Sequence, residues 1–147
     1  MKQALLPYLA ALLSFLCSCS HSEDVAPWEQ AVESFSIAYF NWDYPKAASY
    51  VTDNSQPLLC YAASQVTQED VELLNAKAER ATVEVMPDAE IVNDSCVVAM
   101  VLVRNFLEMD SIDRQPVLRE EATFCLEILG NNGRWAVHLT SLPRSER

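Results

Sequence analysis

The chain of 147 residues holds only two glycines, Gly130 and Gly133. A phosphate-cradling loop needs several glycines just before a helix, so neither a dinucleotide fingerprint nor a P-loop can be written anywhere in it. Its two histidines, His21 and His138, stand far apart, and there is no CxxC and no HExxH. The usual ligand spacings for a metal are therefore missing, and no metal or cofactor is expected. Positive charge is scarce as well: 10 Lys and Arg stand against 21 Asp and Glu, a formal net charge of −11. A chain this acidic is repelled by nucleic acid and by anionic lipid headgroups, so nucleic acid is not an expected partner.

What is present begins at the N-terminus. Met1, Lys2 and Gln3 precede the apolar run ALLPYLAALLSFL, Ala4 to Leu16, a positive end followed by a short core of the secretory type. Crossing the hydrocarbon takes about 20 residues, so this segment is a signal and not an anchor. The next letters, Leu16-Cys17-Ser18-Cys19, resemble the lipobox of a bacterial lipoprotein, with Leu three positions before the modified cysteine and a small Ser directly before it. Cys17 does not fit, because it follows the bulky Leu16. The resemblance implies cleavage between Ser18 and Cys19, a diacylglycerol on the Cys19 thiol, and a palmitate-like acyl chain on the new amino terminus. Two or three chains hold a protein firmly to a bilayer, whereas one holds it reversibly.

The expected organisation is thus a signal peptide over 1–18, a lipidated acidic tether over 19–25, and one domain over 26–147. Removing residues 1–18 from the 147 leaves 129, enough for a single compact domain, with a net charge of −12 once Lys2 is lost. The domain is expected to meet the membrane only through the lipid on Cys19, in the outer membrane of a cell envelope. Whether it faces the periplasm or the cell surface is left open by the sequence.

Past the tether, VAPWEQAVESFSIAYFN carries Trp28, Ala31, Val32, Phe35, Ala38 and Tyr39 at helical spacing, with Asp24 as cap and Pro27 in the first turn. YPKAASYV reads as a short helix capped by Asp43, SQPLLCYAAS as a further turn or two, and TQEDVELLNAK as a helix opened by a Thr67/Asp70 capping box. From Arg80 onward the period changes to two. ATVEV and AEIV, broken at Pro87, give a first strand, followed by SCVVAMVLVRNF, VLREEATFCLEIL and RWAVHLTSL. GNNG joins the last two as a tight hairpin, with a register centred on Asn131 and Asn132 that sets Phe124, Leu126 and Ile128 opposite Leu139, Val137 and Trp135. Helices first and an antiparallel meander afterwards means an α+β fold, the helices on one face of a curved sheet of four or more strands.

AYFNWDYPKAASYVT, DSCVVAMVLV and GRWAVHLTSL together resemble the nuclear transport factor 2-like superfamily. More narrowly, they are similar to small domains of unknown function, some labelled lumazine-binding-like, found in lipoproteins of Bacteroidetes. The likeness spans about Ala26 to Pro143, with VNDS where that family usually has a glycine between its first two strands. It implies a conical pocket between helices and sheet, suited to a small apolar ligand, and no particular activity. Catalytic relatives place an acid or base in that pocket. Here the alternation turns His138 away from it, towards the exposed face, and leaves Asp43, Tyr44 and Tyr50 near its mouth.

Two readings follow: a non-catalytic, lipid-anchored binding or interaction module, and a cofactor-free pocket enzyme of isomerase, dehydratase or cyclase type. The lack of an inward titratable pair favours the first. Two further expectations concern the outer face of the sheet. Val98, Met100 and Leu102 form an apolar row there, a contact surface for a second copy or an envelope partner. A hairpin centred in MDSIDR would also place Cys96 opposite Cys125 in disulfide range, with Cys60 a small buried thiol on the helical half.

Overall fold

The computed structural model describes residues 24–109 and 114–146. Ser18 and Cys19, where cleavage and lipidation are expected, lie outside them. Helix α1 spans Pro27–Phe40 and buries Ala31, Val32, Phe35 and Ala38. Its cap is Ala26, which offers no side-chain bond, and not Asp24; proline in the first turn, where no N–H is needed, still favours the start. At its other end Asn41 accepts the Ala81 N–H at 3.0 Å and donates to the Ala81 carbonyl at 3.1 Å. That one amide ties the helix end to the entrance of the sheet.

Helix α2, Tyr44–Ala48, is capped by Asp43, which accepts the Lys46 N–H. A 3-10 turn at Asp53–Ser55 leads into α3, Gln56–Gln65. This is a ten-residue helix where a turn or two was expected, since Pro57 starts it well and the Leu, Cys, Tyr and Ala that follow contain no breaker. Helix α4, Gln68–Ala76, opens with the complete Thr67/Asp70 capping box.

The sheet runs β1-β3-β4-β5, with β2 also paired to β3. Strands β1 (Thr82–Val85) and β2 (Glu90–Asn93) lie along the same edge of β3 (Cys96–Glu108). They are the two halves of one strand interrupted around Pro87, which has no N–H for the ladder. The turn from β2 to β3 manages without glycine because the Asn93 side chain accepts the Ser95 N–H at 2.8 Å. Strand β4 (Val117–Asn131) and β5 (Arg134–His138) complete the sheet. The free edge of β5 is covered: Val137 donates to the Tyr50 carbonyl and accepts the Thr52 N–H.

Both hairpin registers differ from the sequence reading. In β4–β5 the pairs are Ile128 with Val137 and Gly130 with Trp135. The turn is Asn132-Gly133, with φ of 50° and 79°, because a type I′ turn needs positive φ at both centres and Asn-Gly meets that better than Asn-Asn. In β3–β4, Cys96 pairs with Leu129 and Cys125 with Met100. The two cysteines share a face but stand four residues apart, about 13 Å along the strand, beyond disulfide reach. Both are free thiols, and so is Cys60, which is exposed on α3 and not buried.

Alternation on β3 sends Val97, Ala99, Val101 and Val103 inward, each at most 2% exposed, against α1 and the inward residues of β4 and β5. At Asn105 the backbone takes a φ of 55°. The strand bends there, its inward parity shifts, and Phe106 turns into the core at 1% exposure. Phe106 meets Phe40 and Phe124 in a three-ring cluster with centroids 4.5 to 5.6 Å apart. Offset and edge contacts of this kind each add about 0.5–1.5 kcal/mol to simple burial.

Candidate ligand cavity and outer sheet face

The bend in β3 carries the distal part of the β3–β4 hairpin around the end of the helices. Between them lies a cavity of about 1020 Å³, at the upper end of what a small-molecule site occupies. Its floor is the aromatic cluster with Tyr39, Trp42 and Tyr44 added. Tyr39 and Tyr44 come from the end of α1 and the first turn of α2, with ring centroids 5.7 Å apart. The chain reverses between them through Trp42, at a φ of 60°.

Neither phenol has a hydrogen-bond partner among the described residues, and both line the cavity. Burial pushes the Tyr44 hydroxyl up to about 12. Tyr39 is raised too, first by burial and then by the neighbouring Tyr44. A phenol is neutral near pH 7 even without such a shift, so both hydroxyls can donate a hydrogen bond.

The rim is charged. Arg119 pairs with Glu108 at 2.6 Å, and the buried Asp70 is engaged by Thr67, whose N–H it accepts at 2.8 Å. Arg114 and Arg144 also line the mouth.

Of the three residues expected near a pocket mouth, the structure brings only Tyr44 into the cavity. Asp43 is exposed and spent on capping α2. Tyr50 is half-buried beside β5 and lines no part of the cavity. Tyr39, which helical spacing assigns to the core, is the second cavity phenol. Nothing in the spacing distinguishes it from a core residue; its neighbour Trp42 is placed by a backbone angle that no local signal announces. His138 is half-buried, not exposed, with Nδ1 3.1 Å from Thr52 Oγ1.

The outer face of the sheet carries Val98, Met100 and Leu102, all half-buried, with Cys125 exposed beside Met100. Arg104 reaches Glu84 at 2.9 Å and Glu121 at 3.5 Å across this face.

Fold and site together define an α+β domain whose N-terminal helices pack on an open antiparallel sheet and enclose an aromatic cavity with it. No protein-family model and no curated protein matches the chain. Among solved structures it is similar to an NTF-2 like protein of unknown function from Shewanella oneidensis MR-1, with a TM-score of 0.49 and 11% identity over 74% of this chain and 92% of that one. It is also similar to an Ntf2 like protein involved in plasmid conjugation, with a TM-score of 0.35 and 15% identity over 80% of this chain. This chain spans 47% of the length of that second protein.

Proposed function

We propose that the protein is a lipid-anchored envelope component, acylated at Cys19, whose domain binds a small apolar ligand carrying a hydrogen-bond acceptor and does not convert it. The observation that carries this reading is the pair of neutral phenols, Tyr39 and Tyr44, on the aromatic floor of the cavity. Flat rings and an apolar body suit such a floor, and a carbonyl or ether oxygen suits the hydroxyls. Conversion would call for a group to take or give a proton next to them. The buried carboxylate of the lining, Asp70, is held in the capping box, and Glu108 is held by Arg119. Both are thereby committed to structure, and the third lining carboxylate, Glu69, is exposed on the first turn of α4, which supports binding over catalysis.

The test uses two naphthalenes of similar size, 2-acetylnaphthalene and 2-ethylnaphthalene, titrated against the intrinsic fluorescence to which Trp42 contributes. The ketone should bind more tightly, and Tyr44→Phe should remove about tenfold of its affinity, the worth of one hydrogen bond, while leaving the hydrocarbon unchanged. Equal effects on both ligands would deny the hydroxyl a role. Failure of both to bind would remove the cavity as a ligand site.

A further inference from the structure

The outer face of the sheet is an apolar row fenced by acids. In the ladder Glu90 and Glu127 flank Val98 on its two sides, and Glu84 lies beside Leu102. Glu121 stands opposite Arg104, and Glu146 is drawn to the same strip by its backbone bond to Thr123 at 2.8 Å. Arg104, the cation within this ring among the described residues, is already shared between Glu84 and Glu121. The two thiols register the field. Cys96 is raised by burial and then by Glu127, to which its Sγ donates, and Cys125 by burial and then by Glu146 and Glu90. At the edge, Val92 on β2, two residues on from the outward Glu90, is 53% exposed.

Two occupants are disfavoured by this arrangement. A second copy related by a twofold axis would set the face against itself, so an acidic ring would meet an identical ring, and like charges across an interface cost several kcal/mol. An anionic bilayer repels the same ring. We propose that this face docks another protein, one whose contact surface has an apolar centre and a rim of Lys and Arg. The apolar centre would cover Val98, Met100 and Leu102, and the basic rim would meet Glu84, Glu90, Glu121 and Glu127. This proposal is independent of the cavity reading, since the face lies across the sheet from the helices.

The experiment uses the full lipidated chain in nonionic detergent at 0.15 M salt, with a fluorescein-labelled nonapeptide of apolar centre and Lys at both ends, and its twin with Glu in place of Lys. The Lys peptide should bind and the Glu twin should not. Met100→Asp and, separately, the double variant Glu90→Gln/Glu127→Gln should each weaken binding by about tenfold. The double control Glu33→Gln/Glu72→Gln, which removes the same charge from exposed positions of α1 and α4, should stay within about twofold, the residue of long-range attraction alone. The Gln variants leave the core untouched and keep the test sound if Met100→Asp fails to fold. An equal loss in the helix control would reduce the effect to net charge and overturn the proposal. So would no binding of the Lys peptide, or a wild-type dimer at neutral pH that the Glu90→Gln/Glu127→Gln pair strengthens.

Discussion

Two residues in the left-handed region stand where the chain turns beside the cavity. Trp42 at φ 60° reverses the chain after α1, and Asn105 at φ 55° bends β3. Asn tolerates that region because its short amide can bond locally, and here its Nδ2 donates to the Glu79 carbonyl at 3.0 Å while Lys77 donates to its own carbonyl. A β-branched side chain has neither the space nor the bond. Asn105→Val should therefore lower stability in urea by about 1–3 kcal/mol, and Asn105→Gly by less; equal losses would mean that the bend is not what the side chain secures. The phenols make a second prediction. Tyr44 titrates near 10 when unfolded and about 12 when folded, so the folded state holds its proton longer. The contribution is complete below pH 10 and is lost as pH rises towards 12, because in that window the unfolded chain binds fewer protons. Alkaline unfolding should begin near pH 10, and Tyr44→Phe should flatten its slope. A slope unchanged in the variant would place the titration elsewhere.

At the scale of the element, what sequence made visible was periodicity and capping, and what it hid was register. The Asp43 cap, the Thr67/Asp70 box and the shift from a period of 3.6 to one of 2 near Arg80 were all legible, because each rests on local hydrogen bonds or on one face meeting the core. A strand slid by two or four residues keeps every side chain on its own face, so alternation alone cannot choose between such registers. Only the turn decides. Asn132-Gly133 is the turn of β4–β5, one residue beyond the Asn131-Asn132 centre that GNNG equally allows, and MDSIDR itself contains no glycine or proline to mark the centre of β3–β4. That is why Cys96 was placed opposite Cys125 when it faces Leu129. The site was legible to the same degree: Tyr44 follows from its helix, while the partnership of Tyr39 with it depends on the Trp42 reversal. Mass spectrometry of a non-reduced digest should find Cys96 and Cys125 as free thiols in protein purified under oxidising conditions. A Cys96–Cys125 crosslink would require the register to slip by four and would refute this pairing of strands.

For the whole molecule, the decisive quantities are charge and the lipid. A chain with a formal charge of −11 is repelled by an anionic bilayer surface, so on the proposed reading membrane residence would come from acyl chains at Cys19. At about 0.8 kcal/mol per buried methylene, a diacylglycerol with a third chain on the amino terminus would hold firmly. On that reading the acidic stretch SHSED between Cys19 and Val25 would keep the domain clear of the headgroups. The expected result is that Cys19→Ala yields a product that keeps its signal segment or leaves the membrane fraction, while Cys17→Ala behaves like wild type. High salt should not release the wild-type protein, because the attachment owes nothing to charge. A Cys19→Ala protein that still fractionates with outer membrane at wild-type mobility would transfer the anchor from the lipid to some other part of the chain. Protease added to intact cells then separates the two faces of that membrane: digestion of the domain places it at the cell surface, and protection until the outer membrane is opened places it in the periplasm.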